Sequence, residues 1–247
     1  VRNIERWQPG KFVHRGSRLR ASRDPKAVGT GSWLNADLVA SFYHRSLRHY
    51  ARGRLVDLGC GAVPLYAAYR GLVDAMVCVD WAGSMHGTEH LDVECDLGGA
   101  LPFEDASFDT IILSDVLEHI PTPETTWREM ARILAPGGHL LLNVPFLYWV
   151  HEAPHDYHRY TEFALRRLAA LAGLEIVLLE PMGGAPEVLA DILGKLFARL
   201  PLVGPLLARC VQSATGLFVR RGIGRTISKR TAGLFPLGYC MIVEKRR

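Results

Sequence analysis

Five residues of extended pattern, Arg54-Leu55-Val56-Asp57-Leu58, run directly into Gly59-Cys60-Gly61, and a second apolar run from Ala75 to Val79 ends on Asp80. Between them Pro64 opens a helical stretch through Tyr69 that Gly71 closes, with proline at the first position and glycine after the last. Two apolar strands that close together cannot be hairpin partners when a helix separates them. They are parallel neighbours joined by a crossover, which commits the chain to a β-α-β unit.

The alternation continues. Thr110–Leu113 reads as a strand, Glu124–Leu134 as a helix stopped at the Pro136-Gly137-Gly138 turn, and His139–Val144 as a strand. Thr161–Ala172 reads as a helix with Thr161 as cap and Gly173 as terminator, Leu174–Leu179 as a strand, and Tyr239–Val243 as the last strand. Upstream, Leu34, Leu38, Phe42 and Leu47 recur at helical spacing from Trp33 to Tyr50. The expected fold is α/β: a doubly wound, Rossmann-like sheet covered on both faces. Residues 1–50 form an N-terminal arm or lid and a helix, 51–180 the core, 181–236 a helical insertion, and 237–247 the final strand.

In such sheets ligands sit beyond the carboxyl ends of the strands. Two glycines one residue apart let the backbone turn and a ligand approach. The third glycine of the dinucleotide fingerprint is missing, since Val63 and Pro64 follow Ala62. Pyrophosphate needs free amides at a helix start, and Pro64 removes one. Asp80, placed to accept two ribose hydroxyls, completes a site for an adenosine-type ligand without pyrophosphate.

These residues carry a resemblance. VDLGCG, then CVDW, then CDLGGALPFEDASFDTIILSDVLEHIPTP, then MARILAPGGHLLLNVP resemble, in order and spacing, the class I S-adenosylmethionine (SAM)-dependent methyltransferases of the small-molecule branch. The resemblance spans Leu55 to Leu179 and implies a seven-stranded sheet with its last strand antiparallel. It further implies that Asp57, Gly59, Cys60 and Gly61 line the amino-acid part of SAM. Asp80 would bind the ribose, Trp81 pack near the adenine, Asp96 and Leu97 meet the adenine amino group, and Ser114 and Asp115 lie beside the methyl donor. Val63 departs from the family's commoner glycine.

Methyl transfer from a sulfonium is an in-line displacement that needs alignment, exclusion of water and a base for a hydroxyl nucleophile. The segment Pro145–Thr161 concentrates aromatics with His151, His155 and His158. His151 and His155 are the candidate bases, with Asp115 beside them. The alternative is that the segment only locks itself to the next helix through Asp156 and Arg159. If a helix begins at Asp115, then Asp115, Glu118 and His119 share one face and suit a hard cation, completed by His151 or His155. This resembles the arrangement by which some quinone and RNA 3′-end methyltransferases hold magnesium. The opposing reading is a metal-free brace of the loop.

The charge is uneven. The net charge is +4, and from Ile192 to Val243 there is no acidic residue but eight basic ones. There Leu189, Ile192, Leu193, Leu196, Phe197 and Leu200 form one helical face with Lys195 and Arg199 opposite, and Leu202, Val203, Leu206, Leu207, Cys210 and Val211 repeat the pattern. A basic amphipathic helix of this kind lies at a membrane surface or covers a substrate channel. Packing on the sheet or contact with a second copy, a homodimer, are the alternatives for residues 189–230. No apolar leader or spanning run is visible, and the five cysteines lack CxxC spacing. A cytoplasmic protein with reduced thiols is expected, at most peripheral at the inner face of a membrane.

The expected function is SAM-dependent O-methylation of a glycan, lipid-linked or secondary-metabolite acceptor, with SAM as cofactor and no DNA partner. The segment after Thr110–Leu113 lacks the Asn/Asp-Pro-Pro-aromatic pattern of base-methylating enzymes. The rivals are a non-catalytic SAM-binding regulatory module and a nicotinamide-dependent oxidoreductase.

Overall fold

The computed structural model describes residues 1–247. Seven strands form one sheet: β3 (Arg54–Leu58), β4 (Ala75–Asp80), β5 (Val93–Glu94), β6 (Phe108–Ser114), β7 (Leu134–Pro145), β8 (Glu175–Met182) and β9 (Gly238–Glu244). Their spatial order is β5-β4-β3-β6-β7-β9-β8, and β9 alone runs antiparallel to its neighbours. The doubly wound reading with an antiparallel last strand therefore holds.

Side chains alternate across this sheet, and the alternation builds two cores. Val56, Ile111, Leu140 and Met241 face α3 (Pro123–Ile133) and α4 (Glu162–Leu171), where Trp127, Met130 and Leu165 are buried. Leu55, Ile112, Leu141 and Ile242 face α1 (Trp33–Tyr50), where Val39, Phe42, Tyr43 and Leu47 are buried. Thr161 caps α4 through its hydroxyl, which accepts from the Ala164 amide at 3.2 Å.

Three local differences from the sequence reading have physical causes. The helix after Gly61 shrinks to α2 (Tyr66–Tyr69), because Val63 takes a left-handed φ of 51°. Its side chain is fully buried, so the position turns as a glycine would while anchoring the loop. Pro136–Gly138 does not end the strand: β7 runs through them, with the ladder to β6 slipping between Phe108 and Thr110. That is a bulge at a glycine pair. The arm is not a bare polar lid either. It contains a hairpin, β1 (Phe12–Arg15) and β2 (Arg18–Ala21), whose Phe12, Leu19 and Ala21 are buried in the α1-side core.

The insertion forms three helices, α5 (Ala185–Ala198), α6 (Gly204–Phe218) and α7 (Gly222–Thr231). No helix is long and apolar enough to cross a membrane. Contrary to expectation, Lys195 is not on an outer polar face. It is buried beside Asp191, while Leu189, Ile192, Leu193, Leu196 and Leu200 point outward. Burial outweighs the pair's mutual attraction, lowering Lys195 to about 8 and raising Asp191. Cys60, Cys78 and Cys240 are buried, and all five thiols are free.

Candidate functional site

The carboxyl ends of β3, β4 and β6 open on a cavity of about 390 Å³, a size that suits a small ligand. Gly59, Asp80, Trp81, Asp96 and Leu97 line it on one side; Asp115, His119, Glu152 and His155 line it on the other. Gly59 has a φ of +70°, and a Cβ there would lie 2.5 Å from Val116, so the turn admits only glycine. Asp80 organises the loop. Its Oδ2 accepts from the Gly61 amide at 2.8 Å and the Ser84 hydroxyl at 3.0 Å, and its Oδ1 from the Trp81 amide at 2.8 Å. Asp96 accepts from the Gly98 amide at 2.8 Å and so holds its own turn at the cavity wall.

Four of the residues expected around the cofactor do not line the cavity. Asp57 is buried behind it and accepts from the Tyr69 hydroxyl at 3.0 Å. Burial pushes its carboxyl up to about 7, against the lowering effect of Tyr69. Cys60 is buried, Gly61 donates to Asp80, and the Ser114 hydroxyl donates to Asn143 at 2.9 Å.

On the acceptor side, residues 117–119 form one 3-10 turn rather than the start of a helix. The expected face of Asp115, Glu118 and His119 is therefore not assembled. Asp115, with a φ of 53°, turns to Lys11 at 2.7 Å and to the Asn143 amide. His151 takes its place: one donor atom each from Glu118, His119 and His151 lies within 4.8 Å of the others. Both Glu118 oxygens and His119 Nε2 are buried without a hydrogen-bond partner. His119 Nδ1 donates to the His155 carbonyl at 2.7 Å. A carbonyl only accepts, so the ring's proton sits on Nδ1 and Nε2 offers a lone pair. That nitrogen is 3.7 Å from Glu118 Oε1 and 3.8 Å from Glu152 Oε2.

Burial raises Glu118 further than His151 lowers it. Burial would lower His151, but Glu118, Asp156 and Glu152 together raise it. His155 packs edge-on against Trp81, and its Nδ1 lies 3.1 Å from the Tyr157 hydroxyl. Asp156 and Arg159 form a two-pronged pair at 2.6 and 2.7 Å, and Asp156 also accepts from the His151 amide. Burial opposes it, yet Arg159 holds Asp156 down at about 2. These two residues tie the segment to itself, through the Tyr148, Trp149 and His158 carbonyls and the His151 amide, and not to the next helix as one sequence reading had it. Glu152 and Lys11 escaped that reading. Glu152 sits in an irregular run with no periodicity, and Lys11 reaches the site across 104 residues of sequence.

Residues 56–142 match the family described as a methyltransferase domain. Over 146 residues the chain is 30% identical to a ubiquinone biosynthesis O-methyltransferase of Parvibaculum lavamentivorans, covering 54% of each. Over 164 residues it is 29% identical to the protein of that description from Chromobacterium violaceum, covering 54% of this chain and 69% of that one. The chain thus spans about half the length of the first of these relatives. Among solved structures, a SAM-dependent methyltransferase from Mesorhizobium loti superposes with TM-score 0.55 at 16% identity, over 86% of this chain and 100% of that one. The cyclase SpnF gives TM-score 0.57 at 17% identity, over 96% and 88%. Likeness at such identity establishes the fold, and the fold alone does not assign chemistry.

Proposed function

Because residues 56–142 match a methyltransferase domain, we propose that the chain is a class I SAM-dependent methyltransferase that transfers a methyl group from SAM to a hydroxyl of a small-molecule acceptor, glycan, lipid-linked or secondary-metabolite. One observation carries this reading: a single cavity joins a phosphate-free nucleoside wall, Gly59, Asp80, Trp81 and Asp96, to a wall bearing the half-buried imidazole of His119, whose Nε2 has no hydrogen-bond partner. A nicotinamide cofactor would bring a pyrophosphate to a loop where Pro64 has no amide to offer. A purely regulatory SAM-binding module has no need of the second wall.

SAM, when bound, supplies an electrophilic methyl group on a positive sulfur. Asp80 accepts hydrogen bonds from a vicinal diol and Trp81 gives an aromatic face for a base. The other wall would hold the acceptor hydroxyl in line with that methyl group, at the cavity edge that Asp115, His119 and Glu152 line. The hydroxyl proton passes to His119 Nε2, where the cation lies between Glu118 and Glu152. Lys11 and the Asn143 amide hold Asp115 in place at the cavity wall. Incubation with methyl-labelled SAM and a panel of hydroxylated acceptors tests the reading. Label in an ether product supports it; SAM binding without transfer to any hydroxyl returns the regulatory reading.

A second reading rests on the unpartnered atoms of Glu118 and His119. A divalent cation held by Glu118, His119 and His151 would satisfy them and lower the acidity threshold of an acceptor hydroxyl. Donors about 2.1 Å from one ion lie within about 4.2 Å of one another, so the cluster would have to contract slightly. Full transfer activity in chelator leaves the imidazole as base, whereas loss restored by a divalent ion assigns the metal.

A further inference from the structure

The insertion buries small and polar residues, Ala190, Gly194, Ala208, Gly216, Gln212 and the Asp191–Lys195 pair, while most of its large apolar ones point outward. Fifteen of the 24 large apolar side chains exposed on the whole chain fall between Leu189 and Phe235, under a fifth of its length. On α5 they stand at Leu189, Ile192, Leu193 and Leu196, one helical stripe that Leu200 extends just past the helix end. Leu202, in the turn to α6, is 99% exposed. The inner seam is glycine and amide. A Cβ on Gly31 would lie 2.7 Å from the Gly194 carbonyl carbon. The Gln212 side chain donates to the Gly31 and Ala190 carbonyls at 2.8 and 2.9 Å and accepts from the Leu34 amide at 2.8 Å. This seam fixes which side of α5 and α6 faces out, so the apolar stripe cannot turn inward.

Seven exposed cations, from Arg199 to Arg230, stand among these apolar residues, and no acidic residue occurs from Ile192 to Val243. A second copy docked by the same surface would bring like charges together. A polynucleotide would pair the cations but leave Leu202 and its neighbours in water. An anionic bilayer satisfies both: its headgroups meet the arginines and its acyl boundary takes the leucines.

A groove of about 430 Å³ opens where this surface meets the acceptor segment. Ile192 and Leu196 of the outward stripe line it together with Phe146, Leu147 and Trp149. Asp191, Lys195 and Arg199 line it as well, as does the ring of Tyr148. Lys195 Nζ lies 3.3 Å from the centre of that ring, and the His151 ring lies 5.2 Å from it, beside Glu118 and His119. The groove therefore leads from the outward face toward the acceptor wall.

We propose that α5–α7 seat the protein on an anionic lipid surface, and that the Phe146–Trp149 groove takes the apolar tail of an acceptor resident there. The second half rests on the methyl-transfer reading; the first does not.

The full chain is sedimented with vesicles of phosphatidylcholine alone and of phosphatidylcholine mixed with phosphatidylglycerol. Several-fold more protein should pellet with the mixed vesicles, and the excess should fall with added salt. Leu202→Asp with Leu206→Asp should remove most of it while the melting temperature and SAM affinity hold, so that misfolding is not the cause. The surface assignment is overturned if neither vesicle binds, if the double variant pellets like the parent, or if the lipid-free protein is a dimer that the variant dissolves. RNA binding that the variant leaves intact, without vesicle binding, would give the cations to RNA instead. For the groove the probe is cis-parinaric acid, read by its fluorescence. Ile192→Trp fills the groove but keeps its apolar surface, so it should retain vesicle binding and lose the probe. Equal probe binding by parent and variant overturns the tail assignment, and neither result depends on turnover.

Discussion

The Nδ1 proton of His119 is committed to the carbonyl oxygen of His155, 2.7 Å away. That bond fixes the tautomer and leaves Nε2 as the one nitrogen able to accept. His119→Ala should lower the rate of label transfer by about 10²–10⁴-fold, the usual contribution of a positioned base. SAM affinity, measured by titration calorimetry, should change little, because His119 lies on the opposite wall. A variant that transfers at the parental rate would remove His119 from the chemistry.

Asp80 should govern cofactor affinity. Its carboxylate faces the cavity and also ties Gly61, Ser84 and Trp81 into the loop. Hydrogen bonds to a charged group contribute about 1.5–3 kcal/mol, so Asp80→Ala should weaken SAM by roughly 10–100-fold. The parent should bind SAM and S-adenosylhomocysteine and leave NADH unbound. Tight NADH binding would reverse the cofactor assignment.

Asp57 makes stability depend on pH. Burial pushes its folded value up to about 7, against about 3.9 for a carboxylate in an unfolded chain. Between those values the folded protein holds the extra proton, so stability falls as pH rises through about 4 to 7. Asp57→Asn keeps an acceptor for Tyr69 and removes the titration. At pH 8 the variant should melt higher than the parent, by a free energy on the order of 2–4 kcal/mol, and at pH 4 the two should converge. Parallel melting curves across pH would contradict this.

The glycine seam predicts a contrast between neighbours. Gly31→Ala places its Cβ 2.7 Å from backbone atoms of Gly194 and Lys195, whereas a Cβ at Gly29 meets nothing within 4 Å. Gly31→Ala should cost about 1–3 kcal/mol of stability, the usual penalty of overpacking, and Gly29→Ala close to none. Urea unfolding of the two variants separates them.

The sheet was legible because its strands are apolar runs broken by Gly, Pro and Asp. Arg54–Leu58 and Trp33–Tyr50 have the bounds their patterns predict. The two-residue strand Val93–Glu94 has no such pattern, and only its ladder to Val79 and Asp80 defines it. The Asp80 wall was legible because a strand end aims its side chain without help from distant chain. The other wall was legible in composition and not in grouping. Nothing local says that Asp115 turns to Lys11, or that His151 rather than Asp115 meets Glu118 and His119. In the insertion the apolar stripe was legible but the place of Lys195 was not, because the helical pattern alone put that cation on an outer face. Here Gly31, Gly194 and Gln212 bring the backbones so close that the large side chains have no room between them.

The pairing of Lys11 with Asp115 also sets an order in time. Lys11 leaves the ribosome 104 residues ahead of its partner, and the indole of Trp7 bonds the Val63 carbonyl 56 residues later. At about 5–20 residues per second of synthesis, the arm waits roughly 5–20 s for Asp115 to emerge. Its hairpin can form early from local sequence, but its docking must follow the strands it closes over. The arm, made before the strands it docks on, is thus among the later segments to settle, and Asp115 gains its Lys11 partner only when the arm docks.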